Sequence, residues 1–439
     1  MSVSGTSRDD GRDGTPCCGM ILAAGFGSRM RSRTPKVLFQ LLGRPLLDYP
    51  LSLLESVGAA PNVVVIGAGG DQVHEEFAGR EVTWARQDPP RGTGDATLVG
   101  LRALDVPDDT PLILLNGDLP LLTERTVDDL LETHHAAGAH MTMLTLELDD
   151  PSGYGRIVRD ASGGIAEVVE EADATDEQRA IREVNGGIYV ARIGSLRAGL
   201  EAMEGNAYDN AQGEFYLPPV IRPLSEMGPV VGWALPEDRR DELQQVNNRK
   251  ELAAATQLRR REILDEFMLN GVTIVDPDST HIEEGVEIGA DTTVHPFTVI
   301  RSGVTIGERC DVGPFAHLRV GTEMDEGAEI GNFTEVKQTR LGKKSKAKHL
   351  SYLGNGEVGD GVNIGAGTIF ANYDGKDKHL TKIEDGAFIG SGTILVAPAE
   401  VGQGARTGAG AVVPPRRKVE AGVTVVGIPA RPHQGRKSE

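Results

Sequence analysis

The sequence predicts an α/β domain with a mostly parallel sheet, followed by a parallel β-helix of hexapeptide repeats. Two patterns predict this. The first is a six-residue step in the C-terminal half. Ile282, Ile288, Val294, Ile300, Ile306, Val312, Leu318, Met324, Ile330 and Val336 are all apolar. The step breaks between Gln338 and Lys382. It resumes at Ile383, Ile389, Leu395, Val401, Thr407, Val413, Val419 and Val425, where only Thr407 is polar. Neither the helical period of about 3.6 nor two-fold alternation gives this spacing. Stacked hexapeptide coils give it, because each coil buries its stepped aliphatic only against its neighbours. Gly289, Gly307, Gly313, Gly331, Gly390 and Gly402 follow their stops directly. There they are expected to accept corner angles that a side chain resists. The second pattern lies between Cys17 and Val246. Short aliphatic runs alternate with helix-like segments, as in a parallel sheet covered on both faces.

Composition narrows the function. A chain of 439 residues is long for one core, so two domains are expected. The predicted parts are a disordered tail over 1–16, the α/β domain over 17–246, a linker helix over 247–271, the β-helix over 272–427 and a C-terminal tail over 428–439. The formal net charge of −20 argues against nucleic acid or an anionic membrane surface as partner. An anionic substrate then needs local clusters of Arg and Lys. Cys17, Cys18 and Cys310 form no even disulfide framework and no metal-type spacing, which fits a reducing cytoplasm. The first sixteen residues have no apolar core of a secretory signal. No apolar run approaches the length of a membrane span.

In the first domain, Cys17–Ala23 reads as a buried strand entering Gly25-Phe26-Gly27-Ser28-Arg29-Met30 and then Pro35-Lys36. Glycines after a strand let backbone N–H groups approach a phosphate, and Arg29 and Lys36 supply positive charge. The spacing is neither a dinucleotide fingerprint nor a Walker loop, and a plain strand–helix turn remains the alternative. Val82–Ala85 is a further strand, followed by Gln87 and Gly92-Thr93-Gly94. Leu112–Leu115 ends in Asn116-Gly117-Asp118. Gly25, Gln87 and Asp118 all follow strand ends, so they should converge where α/β sheets bind ligands. Asp118 reads either as a Mg²⁺ ligand or as a turn aspartate. Polar residues around Gly155, Glu170 and Asn185, the segment Asp209–Tyr216 and Val246-Asn247-Asn248-Arg249 could bind a sugar or simply end strands. Glu251–Leu269 is rich in helix formers and stops at Asn270-Gly271.

The break in the six-residue step is informative. Leu341, Ala347 and Leu353 keep one shifted register, and Val358, Ile364 and Phe370 keep another. Ala371–Lys382 is then an insertion leaving a corner, where solenoids place binding loops. A basic cluster sits in this region of an acidic chain: Lys337, Arg340, Lys343, Lys344, Lys346, Lys348, with His349. It reads either as a solubilising patch or as an anion site with His349 as catalyst.

Taken together, these motifs resemble the family of bifunctional N-acetylglucosamine-1-phosphate uridylyltransferases/glucosamine-1-phosphate N-acetyltransferases. The likeness spans about residues 19–415. It rests on Leu22-Ala-Ala-Gly-x-Gly-Ser-Arg-Met, Pro35-Lys36, Gln87, Gly92-Thr93, Gly117-Asp118, Gly153-Tyr154-Gly155-Arg156, Ala174–Gln178 and Val246–Arg249. In the second half it rests on Gly313-Pro-Phe-Ala, Gly331-Asn-Phe, Arg340-Leu-Gly-Lys, His349–Gly354, Asn363–Thr368 and Asn372–Gly375. The resemblance implies a Rossmann-like nucleotidyltransferase domain and a left-handed β-helix. It implies that Gly25, Arg29 and Lys36 hold the UTP phosphates. Gln87 and Gly92 would read the uracil beside Thr93, and Asp118 and Asn247 would hold Mg²⁺. Gly155, Glu170 and Asn185 would bind N-acetylglucosamine-1-phosphate.

In the β-helix it implies His349 as general base for the amine of glucosamine-1-phosphate. Arg319, Lys337 and Lys378 would clamp the sugar phosphate, and Tyr352 and Asn363 would orient the sugar. Ala366, Asn372, Tyr373, Ser391 and Ala409 would line the acetyl-CoA path of a homotrimer with shared sites. The sequence departs from the family pattern at Ser28, Asn116, Ala172, Gly186 and Val320, and an Arg that helps hold coenzyme A has no match near Ile428–Arg431. A competing reading keeps nucleotidyl transfer to another sugar-1-phosphate and leaves the β-helix to assembly or regulation. His349 with Asn372 and Tyr373 argues against it.

Overall fold

The computed structural model describes residues 16–25, 27–161, 163–205, 208, 210 and 213–432. The expected N-terminal tail before Pro16, residues 433–439, Phe26 of the glycine turn and Asp209, Ala211 and Gln212 lie outside the described residues. Two compact units divide the chain, Met1–Ala255 and Thr256–Glu439.

The first unit is built on a sheet of nine described strands: β1 (Cys18–Ala23), β2 (Asn62–Ile66), β3 (Thr83–Arg86), β4 (Pro111–Asn116), β5 (Met141–Glu147), β6 (Arg156–Arg159), β7 (Ile165–Val169), β8 (Glu183–Arg192) and β9 (Val230–Ala234). The order along the sheet is β9-β5-β8-β4-β1-β2-β3, with β6 and β7 branching from β8. The pairs β1–β4, β1–β2 and β2–β3 are parallel, whereas β8 is antiparallel to β4 and β5. Val63, Val64, Val65 and Leu112–Leu115 are almost wholly buried. Alternate residues feed two cores. Met20, Val65 and Leu114 face one, and Ile21, Val64 and Leu115 face the other. That is why these strands read as unbroken aliphatic runs. Gly25, Gln87 and Asp118 all follow the C-terminal ends of parallel strands.

The second unit is a left-handed parallel β-helix. Its short strands pair with strands one coil later: Ile282 with Ile300, Val294 with Val312 and Ile306 with Met324. The stepped aliphatics form the buried column; Ile282, Val294, Ile300, Val312 and Leu318 are fully buried. Thr407 is accommodated because its hydroxyl accepts from Gly390 N at 2.9 Å and pairs with Thr393 Oγ1 at 2.8 Å. The step breaks because the coil loses one residue. Met324 pairs with Leu341 and Val336 with Leu353, seventeen residues on instead of eighteen. The corner is tightened and not removed: Glu335–Leu341 and Tyr352–Val358 turn it on single left-handed residues, Gln338 at φ 47 and Asn355 at φ 55.

Two sequence readings need correction. The glycine after most stops is not there for its angle. At Gly289 and Gly331 φ is not positive; an added Cβ would lie 2.6 Å from Glu308 N and 2.2 Å from Lys348 O of the next coil. Close approach between coils requires these glycines; of the six, Gly313 alone has the expected positive φ, +98, and the other positive values fall at positions such as Gly285 and Gly303. The helix expected from Glu251 begins at Arg249. Asn248 starts it early, because Oδ1 accepts from Lys250 N at 2.9 Å and Glu251 N at 3.0 Å. Among the described residues no helix is long and apolar enough to cross a membrane.

Candidate functional site

In the first unit, two adjoining cavities of about 480 and 520 Å³ open past the strand ends. One is lined by Gly25, Lys36, Gln87, Gly92 and Asp118. The other is lined by Arg29, Gly155, Glu170, Asn185 and Asn247. Leu22, Thr93, Asn116 and Gln245 line both and form the seam between them. The positions singled out in the sequence therefore converge.

The seam is held by polar contacts between distant segments. Lys36 Nζ is ion-paired with Asp118 and reaches Asn247 Oδ1 at 3.2 Å. Arg29 Nη2 donates to the same Asn247 oxygen at 2.9 Å. Val246 N donates to Asp118 O at 3.1 Å, and Gly117 N to Leu22 O at 3.0 Å, which ties β1, β4 and the 246–247 segment together. Gly27 has φ +58, and a Cβ there would meet Lys36 Cβ at 2.6 Å, so glycine is required for Lys36 to enter. Gly92 has φ +113, and a Cβ would lie 2.4 Å from Phe215 O. Thr93 Oγ1 accepts from Leu217 N at 3.0 Å. The Lys36 ammonium sits where the oxygens of Asp118 and Asn247 meet, and these two are hard oxygen donors. The pair therefore suits Mg²⁺, which takes few protein ligands when phosphates complete its shell.

On the other side of the seam, Asn185 Nδ2 donates to Tyr189 Oη at 2.6 Å, and Asn185 Oδ1 accepts from Gly187 N at 3.0 Å. Asn185 N donates to Gly155 O at 2.9 Å. Burial pushes the Glu170 carboxyl above its usual range, and the negative charge of Asp173 adds to this. Glu171 accepts from Arg156 Nη2 at 2.6 Å. Sequence reasoning did not mark Asp95, Tyr189 or Gln245. Asp95 sits one turn past Gly92, a position that only the contact with Gln87 makes meaningful. Gln245 precedes a quoted motif by one residue.

In the second unit, the basic cluster divides. Lys346 and Lys348 are spent on Glu329, and Arg340 on Asp325. Arg319, Lys337 and Lys378 come together instead. Lys378 at hydrogen-bonding range pushes the Lys337 ammonium below the usual lysine range, and Arg319 adds to this. Three cations gathered so closely, Lys378 exposed and Arg319 and Lys337 part-exposed, form a place for a polyanion. Arg319 is partly offset by Glu335 at 2.7 Å. The loop after Ala371 returns through the bridge between Tyr373 and Lys378, and His379 Nε2 meets Asp374 Oδ2 at 2.7 Å. Gly354 leaves room for two side chains, since a Cβ there would lie 2.6 Å from Tyr352 Oη and 2.8 Å from Asn372 Nδ2. Asn372 Nδ2 donates to Asn355 Oδ1 at 2.6 Å.

His349, Ala366, Ser391 and Ala409 occupy one position on consecutive coils. The residue after each of the last three donates back to the coil before: Gly367 N to His349 O, Gly392 N to Ala366 O and Gly410 N to Ser391 O, at 3.2, 2.7 and 2.8 Å. The same corner carries Phe297, Phe315 and Phe333 in earlier coils. Their rings stack at 4.8 and 5.0 Å, and all three are about half exposed, as is Leu350 beside His349. Asn363 lies in a different strand, opposite Lys346 and Phe388. Among the described residues no hydrogen bond joins it to Tyr352 or to the three cations.

Comparison with known proteins accounts for both units. Residues 19–188 match the MobA-like NTP transferase domain. Residues 285–320 match the bacterial transferase hexapeptide (six repeats), and 381–415 the hexapeptide repeat of succinyl-transferase. The bifunctional protein GlmU of Heliobacterium modesticaldum is 41% identical over 93% of this chain and 94% of its own length. The chain belongs to the bifunctional GlmU family. GlmU of Pelobacter propionicus is 42% identical, covering 92% of this chain and 94% of its own. GlmU of Thermobifida fusca is 41% identical, covering 94% and 92%. The GlmU likeness thus runs through both clusters and not through one unit alone.

Proposed function

We propose that this chain is a two-site transferase of UDP-N-acetylglucosamine synthesis. The second unit transfers acetyl from acetyl-CoA to glucosamine-1-phosphate. The first transfers uridylyl from UTP to the resulting N-acetylglucosamine-1-phosphate and releases pyrophosphate. The observation that carries this reading is that one chain of the bifunctional GlmU family holds two separate cationic clusters: Arg29 and Lys36 at the seam of the first unit, and Arg319, Lys337 and Lys378 in the second.

In the first reaction site, Gly25, Arg29 and Lys36 hold the triphosphate, and Gln87, Gly92 and Thr93 surround the base. Asp118 and Asn247 would hold Mg²⁺, whose charge offsets that building on the phosphates. Gly155, Glu170 and Asn185 bind the sugar, so that its phosphate oxygen faces the α-phosphorus across the seam. The oxygen bonds to phosphorus as the bond to pyrophosphate breaks. Alignment and charge neutralisation suffice, and no covalent side-chain intermediate is required.

In the second, Arg319, Lys337 and Lys378 clamp the sugar phosphate, while Tyr352 and Asn363 orient the ring. His349 accepts a proton from the amine as nitrogen attacks the thioester carbonyl and coenzyme A leaves as its thiol. Ala366, Asn372, Tyr373, Ser391 and Ala409 line the coenzyme path. The aromatic corner supports a homotrimer, each copy covering the corner of the next, and the free thiols of Cys17, Cys18 and Cys310 fit a reducing cytoplasm. The ladder of Phe297, Phe315 and Phe333 continues directly into Leu350 and His349, so a second copy on it also closes the acetyl-transfer site.

The test is to measure both half-reactions on one preparation. Release of pyrophosphate from UTP with N-acetylglucosamine-1-phosphate, and of coenzyme A thiol with glucosamine-1-phosphate, is expected. Thiol silence with active uridylyl transfer would instead favour a β-helix used for assembly alone.

A further inference from the structure

Gln87 follows β3 with 3% exposure and presents its amide to the cavity that also holds Gly25 and Lys36. Its Nε2 carries two hydrogens, and both are used. Gly92 O accepts one at 3.0 Å and Asp95 Oδ2 the other at 2.8 Å. A carbonyl and a carboxylate can only accept. Turning the amide over would set its Oε1 against two oxygens, so its orientation is fixed by chemistry. Gly92 O alone is a weak lock, because it already accepts from Ala96 N at 3.1 Å. The charged oxygen of Asp95 makes the stronger bond.

We propose that Asp95 is the positioning residue for base selection. It holds Gln87 so that only Oε1 is offered to the nucleobase. A base with an N–H at N3, uracil or thymine, can donate to that oxygen. Cytosine presents an acceptor at N3 and is rejected, since two acceptors would face each other in a buried site. Asp95 itself touches no base and acts through Gln87. This deepens the nucleotidyl-transfer reading above and rests on it.

The experiment uses the full chain with Mg²⁺, N-acetylglucosamine-1-phosphate and either UTP or CTP, and compares kcat/KM for the two nucleotides. The unsubstituted chain is expected to prefer UTP. In Asp95→Ala the amide is free to turn over, and the UTP:CTP ratio falls by about tenfold or more, as one buried hydrogen bond allows. Asp95→Asn keeps an acceptor oxygen and retains most of the preference. If Asp95→Ala does not fold, Asp95→Ser, well tolerated near a helix start, tests the same loss. A purely structural role lowers both nucleotides together; a ratio unmoved in an active variant overturns the proposal alone. Absence of turnover with any nucleotide by the unsubstituted chain overturns the nucleotidyl-transfer reading and this proposal with it.

Discussion

Lys36 and Asp118 form an ion pair across 82 residues of sequence, with side chains only 15% and 10% exposed. A pair so withdrawn from water is costly to break from one side, since the remaining charge loses its partner. Both groups also face the space assigned to phosphates and Mg²⁺. Asp118→Asn is therefore expected to lower uridylyl transfer about 10²–10³-fold, the scale of losing one electrostatic group from a reaction site. Acetyl transfer by the same sample should stay within twofold (roughly assay scatter). Pyrophosphate and thiol release, read side by side, check this.

His349→Ala should do the converse. A positioned base contributes about 10²–10⁴-fold, so coenzyme A release should fall by that factor while uridylyl transfer persists. Loss of both reactions in a variant of unchanged mass would contradict the division of labour.

The stacked corner makes a prediction about assembly. Phe315 has neighbours on both sides of its ring, Phe297 and Phe333, and is 45% exposed. Phe315→Asp places a charge in the middle of the proposed contact, where burial without a partner is unfavourable. Sedimentation should show the mass falling from three chains toward one. Acetyl transfer should fall with it, and uridylyl transfer should remain.

Acid stability should depend on His134, which is 3% exposed and bonded through Nδ1 to Thr142 Oγ1 at 3.1 Å. Burial, aided by nearby His135, Arg192 and His140, pushes its pKa down from 6.5 to about 4. The unfolded chain therefore takes up a proton first as pH falls. Stability from this group is intact above the ordinary histidine range and is lost between pH about 6.5 and about 4. The loss is about 3 kcal/mol in full. Thermal unfolding of His134→Gln should show a shallower fall over that window than the parent chain.

Much of this was legible in the sequence, for identifiable reasons. A solenoid writes its coil length into the spacing of its buried residues, so Ile282 to Val336 declare the fold directly. Strand ends in the first unit were marked by glycine and aspartate, and Gly25, Gln87 and Asp118 do converge. The missing residue per coil after Met324 was visible only as a disturbance, because a lost residue and a loop both interrupt a count. Crowding by the next coil, the reason for Gly331, has no local signal at all. Asp95 escaped notice because its meaning comes from one contact to Gln87, and an acidic residue early in a helix is ordinary. The division of the lysines depended on where Glu329 lay. Sequence shows a charge cluster but not which members are already neutralised.

The alignment of His349 with Ala366, Ser391 and Ala409 makes distance along this corner a quantised property. Each coil advances by one strand spacing, about 4.7–4.9 Å. Three advances therefore separate the first position from the last by roughly 14 Å. Adding or deleting a single hexapeptide would turn the following residues onto another face instead of moving them along. The corner can be lengthened or shortened only by whole coils, which makes it a ruler with fixed graduations for whatever chain lies against it.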